Sequence, residues 1–185
     1  MTYKEVYDDV FSHERYNADS IDANPSYKMI KEWLTNNTGK TLIDVGCGRG
    51  LIAERITEDF PELEVSTADL GTYHALSTEH FEIDMAGEGK EKITKVYDFL
   101  ISNGVLEHLD VKDLGPSIEW LSNICKKAFI MTANHTDSYA GHKLHITNEP
   151  EAFWTELISK YFTIISQVNL SDTWFFYHLE SKVNC

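Results

Sequence analysis

The run Thr41–Gly50, with the sequence TLIDVGCGRG, constrains the fold more than any other part of the chain. Its first half is apolar and ends in an acid followed by valine, which predicts a buried strand at Thr41–Val45. Its second half has glycine at every second position, at Gly46, Gly48 and Gly50. Glycine adopts backbone angles that a Cβ forbids, and it lets the main chain lie close to a ligand. The run therefore predicts a strand that enters a tight, ligand-binding turn.

The glycine spacing departs from the dinucleotide-binding fingerprint, which is Gly-x-Gly-x-x-Gly. Leu51 stands where that fingerprint has its third glycine, and an extra glycine, Gly50, comes one residue early. A pyrophosphate needs close backbone approach at a helix N-terminus, whereas a ligand without phosphates does not require the third glycine. The spacing favours a nucleoside-type ligand, although a purely structural turn would also explain the glycines.

Helical and strand patterns alternate after the first 24 residues, an order that is typical of an α/β fold with a parallel sheet. Two β-rich runs at the end of the chain predict an antiparallel hairpin. Only about 11 residues separate the second predicted strand from the third, and about as many the third from the fourth, so one flanking helix is expected to be a single turn. The predicted helices are Pro25–Asn36, Leu51–Asp59, Asp113–Cys125 and Glu149–Lys160, and the predicted strands are Thr41–Val45, Leu63–Ala68, His80–Ile83, Tyr97–Ser102, Ala128–Thr132, Phe162–Val168 and Thr173–Glu180.

Composition limits the possible partners. A formal net charge of −14 leaves little basic surface for a phosphate backbone, so no nucleic-acid partner is expected. The three cysteines, Cys47, Cys125 and Cys185, lack the paired spacing of a disulfide framework or a Cys-x-x-Cys metal site, which suits a reducing compartment. No stretch approaches the roughly 18 apolar residues of a membrane span, and the first residues lack the apolar region of a signal peptide. We therefore expect a cytoplasmic protein with no membrane partner.

Two motifs carry a resemblance to a known family. The pattern Asp44-x-Gly46-x-Gly48-x-Gly50 resembles motif I of the class I S-adenosylmethionine (SAM) dependent methyltransferases. The segment Tyr97–Leu109, YDFLISNGVLEHL, resembles the fourth strand of that family and the loop beneath the methionine part of the cofactor. The resemblance extends from the first predicted strand to the C-terminus. It implies a Rossmann-like, doubly wound, seven-stranded and mostly parallel sheet with a C-terminal antiparallel hairpin, and SAM as cofactor with S-adenosylhomocysteine (SAH) as product.

The resemblance also implies a set of cofactor-binding residues at the carboxyl ends of the strands, where ligands of such sheets bind. Asp69 would bind the ribose hydroxyls, and Asp84 the adenine amino group, with Met85 packed against the ring. Ser102 and Asn103 would lie near the methionine part. The full expected set is Asp44, Gly46, Cys47, Gly48, Gly50, Asp69, Leu70, Asp84, Met85, Ser102 and Asn103.

Methyl transfer is an in-line displacement, so the protein mainly holds the acceptor in place and excludes water. A hydroxyl or amine acceptor also needs a base, and histidine has a suitable pKa. His135 and His142 lie in the polar segment Asn134–His145, which follows the fifth predicted strand, and His135 is the leading candidate. His108 is a further candidate, although the Glu107-His108 pair of this family is more often structural than catalytic.

The same polar segment raises the question of a metal ion. His135, His142 and His145, together with Asp137, could hold a divalent metal. However, a His-x-x-His pair in a loop without a clear third partner is a weak zinc signal, and magnesium prefers oxygen ligands. We expect no metal site, and we expect His145 to cap or pack before the helix that starts within Thr147–Glu151.

The N-terminal segment shows helical periodicity. Tyr3, Tyr7 and Phe11 recur every four residues and predict an amphipathic helix. Such a helix would close over cofactor and acceptor, bringing Arg15 or Tyr16 to the ligand, or its aromatic residues would only pack on the sheet.

These observations predict one domain, residues 1–185, with a helical lid at 1–24 and a SAM-binding core at 25–185. The default acceptor is a small molecule that receives the methyl group on oxygen or nitrogen; its identity and the oligomeric state stay open. A nicotinamide-dependent oxidoreductase would share the first strand and turn but not the glycine spacing. A non-catalytic SAM-binding partner or scaffold would keep the cofactor residues and need no base.

Overall fold

Five helices accompany a seven-stranded sheet and a small two-stranded sheet in the computed structural model, which describes residues 2–13, 21, 24–71 and 79–184. The helices are α1 (Tyr3–Ser12), α2 (Pro25–Thr35), α3 (Leu51–Asp59), α4 (Val111–Asn123) and α5 (Glu151–Ile158). The strands are β1 (Thr41–Val45), β2 (Glu64–Asp69), β3 (Glu79–Glu82), β4 (Tyr97–Asn103), β5 (Cys125–Ala133), β6 (Ser138–Tyr139), β7 (His142–Lys143), β8 (Phe162–Ser171) and β9 (Trp174–Ser181).

The large sheet has the strand order β3-β2-β1-β4-β5-β9-β8. The first five strands of this order pair in parallel, whereas β9 runs antiparallel to both β5 and β8. The order of connection reverses between β1 and β4, which leaves a crevice at their carboxyl ends. This topology confirms the predicted Rossmann-like, doubly wound, mostly parallel sheet with a C-terminal antiparallel hairpin.

The sheet separates two layers of buried apolar side chains. Alternate residues of β1 point to opposite faces, so that Ile43 and Val45 pack with α4 and α5, while Leu42 packs with α2 and α3. Trp154 of α5 is completely buried on one face, and Trp33 of α2 is 6% exposed on the other. Because both faces are covered, β1 is apolar almost throughout, as expected for a central parallel strand.

Several boundaries differ from the sequence predictions. The predicted helix Asp113–Cys125 begins two residues earlier and ends before Cys125, which joins β5 and pairs with Tyr97 of β4. Strand β8 is longer than predicted because its pairing with β9 continues to Ser171, and β9 lies one residue later than predicted. The single-turn connection expected near β3 is a 3-10 helix at Lys90–Lys92. The hairpin formed by β6 and β7 was not predicted.

Helix α1 confirms the predicted N-terminal amphipathic helix. Thr2 caps it with a reciprocal capping box: its hydroxyl accepts from the backbone N–H of Glu5, and the Glu5 carboxylate accepts from the backbone N–H of Thr2. Val10 is completely buried. No described helix is both long and apolar enough to cross a lipid bilayer.

Candidate active site

A cavity of about 280 Å³ lies at the carboxyl ends of β1, β2 and β4. It forms where the strand order reverses, which is the usual ligand position in an open α/β sheet. Helix α1 supplies three aromatic side chains to its wall. Of the cofactor residues predicted from the sequence, the cavity is lined by Asp44, Gly46, Cys47, Gly48, Asp69, Leu70, Asp84, Met85 and Asn103.

The glycine turn after β1 forms one side of the cavity. Gly46 and Gly48 have φ angles of 78° and 55°, a region that side chains rarely adopt. A Cβ on Gly46 would lie 2.4 Å from Cγ2 of Val105, so the turn and the segment after β4 are in close contact. Gly50 does not line the cavity; it has a φ of 68° and is the residue before α3.

Asp69 joins the end of β2 to the glycine turn. Its Oδ2 accepts from the backbone N–H of Gly48 and its Oδ1 from that of Leu70, each at 2.7 Å. Burial raises the pKa of Asp69, and the two hydrogen bonds oppose that shift because they stabilise the carboxylate. The carboxylate is therefore held in place at the cavity wall, and each oxygen has a second lone pair available for a ligand hydroxyl.

Asp44 presents an unsatisfied oxygen. The residue is 2% exposed, and its Oδ2 has no hydrogen-bond partner among the described residues. Burial, and then the charge of nearby Asp69, raise the pKa of Asp44 to about 7. Two close carboxylates in a buried cavity favour a cationic ligand, which would keep both ionised.

The remaining predicted cofactor residues fall into two groups. Asp84 follows β3, and its Oδ1 accepts from the backbone N–H of Ala86 at 2.8 Å, beside Met85 in the cavity wall. Oδ1 of Asn103 is buried without a described partner, as is Oγ of Ser102. Asn103 lines the cavity, whereas Ser102 is completely buried and does not.

The fold is similar to those of several solved methyltransferase structures. The N-methyltransferase NodS from Bradyrhizobium japonicum WM9, in complex with SAH, superposes with a TM-score of 0.68 at 12% identity over 97% of this chain and 98% of its own. Magnesium protoporphyrin IX methyltransferase (ChlM) from Synechocystis PCC 6803, with bound SAM, has a TM-score of 0.67 at 15% identity over 98% of both chains. A SAM-dependent methyltransferase from Clostridium acetobutylicum ATCC 824 has a TM-score of 0.68 at 12% identity over 97% of both chains.

The chain has the class I methyltransferase fold. At these identities the comparison concerns the fold alone. No protein-family model matches the sequence, and no curated protein matches it significantly.

In this methyltransferase fold, α1 forms part of the cavity wall. Tyr3, Tyr7 and Phe11 line the cavity. The Arg49 guanidinium donates to the carbonyl oxygens of Phe11 and His13, at 3.1 and 2.9 Å, and so ties the glycine turn to α1. The sequence gives no signal for this long-range contact. Arg15 and Tyr16, which were expected near the ligand, lie outside the described residues.

His108 lies in the cavity wall next to α1. Its Nδ1 is 2.6 Å from the Tyr7 hydroxyl and 3.1 Å from the carbonyl oxygen of Leu144. Burial, followed by the proximity of His145, lowers the pKa of His108 to about 4. The ring is therefore neutral at neutral pH and keeps one nitrogen lone pair.

The other two candidate histidines are outside the cavity lining. Nε2 of His142 is 2.8 Å from Oδ2 of Asp9 in α1, so this residue connects the β6–β7 hairpin to the helix. The His135 ring packs between those of His145 and Trp174, with centroid distances of 4.6 and 5.0 Å. The His145 ring also contacts that of His108, with a centroid distance of 4.8 Å. His135 is therefore separated from His108 by His145, and it does not line the cavity.

Proposed function

We propose that the protein is a SAM-dependent methyltransferase that moves the sulfonium methyl group to an oxygen or nitrogen of a small-molecule acceptor. The observation that carries this proposal is that nine of the eleven predicted cofactor residues line one cavity, from the ends of β1, β2, β3 and β4. Structural neighbours with SAH or SAM bound support the same cofactor.

The residues of the cavity fit this cofactor. The Asp69 carboxylate, already oriented by two backbone N–H groups, would accept hydrogen bonds from the ribose hydroxyls. Asp84 and Met85 would hold the adenine. The unpartnered oxygens of Asp44 and Asn103 would accept from the ammonium group of the methionine part. The negative charge of Asp44 and Asp69 suits a ligand that carries positive charge on nitrogen and sulfur.

The cofactor, when bound, supplies a methyl carbon bonded to positively charged sulfur. In the transfer, the carbon–sulfur bond breaks as the bond to the acceptor atom forms, and the acceptor loses a proton. The protein has to hold the acceptor in line and exclude water, which the aromatic side chains of α1 would do. We assign residues 1–24 the role of a lid over the core formed by residues 25–185.

We assign His108 the leading role in proton removal, ahead of His135 and His142. Of these three, His108 is the one that lines the described cavity, and its neutral ring has a lone pair for the proton of the acceptor. The proposal includes a cytoplasmic location, because Cys47 in the cavity wall and Cys125 in the core are free thiols.

Turnover of SAM to SAH tests the catalytic part of the proposal. The purified protein is incubated with SAM and a small-molecule cell extract, and SAH is measured by mass spectrometry. The His108→Asn variant should bind SAH normally but form it at least about 100-fold more slowly. The control His178→Asn changes a histidine of β9 that packs on Trp33 away from the cavity, and should turn over normally. SAH binding without turnover in any extract would favour the non-catalytic scaffold instead.

A further inference from the structure

A second group of side chains lies behind the cavity wall. Glu107, His108 and His145 each bring one potential metal-ligand atom into a space where these atoms are all within 4.8 Å of one another. Two main-chain segments are joined here, because the Glu107 carbonyl accepts from the backbone N–H groups of both Ile146 and Thr147 at 2.9 Å. The cluster is therefore built into the fold and does not depend on flexible surface side chains.

A backbone carbonyl lies next to the Nδ1 atom of each histidine. Nδ1 of His145 is 2.6 Å from the carbonyl oxygen of His135, and Nδ1 of His108 is 3.1 Å from that of Leu144. Since a carbonyl oxygen can only accept, Nδ1 of His145 carries the hydrogen and its Nε2 keeps its lone pair. Nδ1 of His108 also faces the Tyr7 hydroxyl at 2.6 Å, and in the tautomer that donates to the Leu144 carbonyl its Nε2 keeps the lone pair. Histidines that bind metals are oriented in this way, with the second ring nitrogen donating to a carbonyl or carboxylate.

Glu107 adds an unsatisfied oxygen to the cluster. The residue is 1% exposed, and its Oε2 has no hydrogen-bond partner among the described residues. A buried carboxyl oxygen without a partner is costly, and native proteins rarely keep one unless a ligand or water satisfies it. A cation between Glu107 and the two imidazoles would satisfy it.

We propose that Glu107, His108 and His145 form a binding site for one divalent transition-metal ion of the zinc type. Two imidazole nitrogens and one carboxylate are a donor set for such ions, whereas magnesium and calcium prefer oxygen ligands alone. Ligand atoms around tetrahedral zinc are about 3.4 Å apart, so the three side chains would draw together on binding. This site differs from the His135, His142, His145 and Asp137 group considered from the sequence.

The position of the cluster indicates what the ion would do. Of its three residues, His108 lines the described cavity, so the ion would lie at the wall where the acceptor binds. This role rests on the proposed methyltransferase function. A metal ion that contacts an acceptor oxygen lowers the pKa of its hydroxyl, so that the proton is released to solvent before the methyl group arrives. His108 would then contribute to the proposed proton removal through the ion that it binds.

Metal titration without SAM tests the site. Chelator-treated protein is titrated with Zn²⁺ by calorimetry and with Co²⁺ by visible absorption. We expect one ion per chain, and binding at least about 100-fold weaker in Glu107→Gln and in His145→Gln. The control His178→Gln should bind as the wild type does. No binding by the folded wild-type protein, or equal binding by both variants, would overturn the proposal.

Nitrogen NMR of the wild-type protein provides a test that does not depend on the folding of a variant. In long-range ¹H–¹⁵N correlation spectra, Zn²⁺ should shift the Nε2 resonances of His108 and His145 and leave that of His178 unchanged. Binding that shifts other histidines instead would refute the site. A separate SAH titration distinguishes the two proposals: metal binding without SAH binding would refute the proposed function, and the reverse would refute the metal site.

Discussion

At the scale of single residues, Gly46 is the glycine of the cavity wall with the least space for a side chain. It combines a φ of 78° with a hypothetical Cβ that would overlap the Val105 side chain. Gly141, in the turn between β6 and β7, has a similar φ of 83° but no atom within 4 Å of the same hypothetical Cβ. A side chain at either position would be strained by the positive φ, but only a side chain at Gly46 would also overlap another residue.

We predict that Gly46→Ala lowers the free energy of unfolding by about 1–3 kcal/mol more than Gly141→Ala does. Both variants carry the strain of a left-handed alanine, which is about 1–2 kcal/mol, but only Gly46→Ala must also displace Val105. Urea denaturation of the two variants and the wild type measures the difference. Equal destabilisation by the two substitutions would show that the glycine turn is not packed against Val105.

The candidate cofactor residues could be proposed from the sequence because the resemblance to the methyltransferase family assigns them to the ends of predicted strands. Asp69 and Asp84 come at or just after the ends of strands, where ligands of parallel sheets bind. Ser102 was expected in the same site as Asn103, but its side chain is completely buried and does not line the cavity, because side chains alternate between the two faces of β4. The contact between His108 and His145 was not predictable, since it depends on the path of the chain after β5.

At the scale of elements, α1 is the proposed lid of the cavity, and its contacts with the core are the basis of that proposal. The Tyr3 hydroxyl accepts from the backbone N–H of Asp110 at 2.9 Å and donates to its Oδ2 at 3.1 Å, which fixes the start of the helix. Lys4 donates to the carbonyl oxygen of Leu70 at 3.1 Å. The contacts of Tyr3 and Lys4 are exposed, so water can replace them when α1 moves to admit a ligand.

We predict that SAH slows amide hydrogen exchange in α1. If the helix must open to release the ligand, exchange should slow by up to about 100-fold when SAH is present at 100 times its Kd. The Tyr3→Phe variant should exchange faster in α1 because it loses the hydroxyl that binds Asp110. Amides of β8, at the far edge of the sheet, serve as the internal control. Unchanged exchange in α1 at saturating SAH would refute the lid.

The start of β1 is held by a carboxylate. Asp98 of β4 accepts from Lys126 Nζ at 2.8 Å and from the backbone N–H groups of Lys40 and Thr41 at 2.7 and 3.2 Å. These hydrogen bonds, that from Lys126 first, lower the pKa of Asp98 to about 2. The side chain is 23% exposed, so solvent screens the interaction only in part.

We predict that Asp98→Asn lowers the free energy of unfolding by about 2 kcal/mol at pH 7 and by about half as much at pH 3. Since the folded-state pKa is depressed, the stabilisation is fully present above the unfolded pKa of about 4 and is lost as the pH falls through about 2. Urea denaturation of the wild type and the variant at the two pH values measures the loss of unfolding free energy. The control Glu62→Gln, at an exposed residue, should not change the free energy of unfolding. If the destabilisation caused by Asp98→Asn were larger at pH 3 than at pH 7, the lowered pKa of Asp98 would be wrong.

The sequence predicted the long elements better than the short ones. Strands β1 and β4 follow from continuous apolar runs, and α2 from a helical stripe. The β6–β7 hairpin was missed because two residues per strand, Ser138–Tyr139 and His142–Lys143, are too few to show a period. Within this hairpin His142 contacts Asp9 of α1, which explains why His142 does not line the cavity.

At the scale of the whole molecule, the strand topology and the chemistry of the cavity both indicate a ligand-binding site at the carboxyl ends of the strands. The reversal between β1 and β4 creates the crevice, the glycine turn and Asp69 shape one side of it, and α1 covers it. The net charge of −14 is compatible with a small cationic ligand and unfavourable for a phosphate backbone. The proposed function depends on which ligand binds in this cavity.

Calorimetric titration of the purified protein with SAM and SAH, with NAD as the control ligand, tests that identity most directly. We predict binding of one SAM or SAH per chain in the micromolar range, no binding of NAD, about 100-fold weaker SAH binding in Asp69→Asn, and unchanged binding in Glu62→Gln. Preferential binding of NAD, or SAH binding that is unaffected by Asp69→Asn, would contradict the assignment of this cavity as a SAM site.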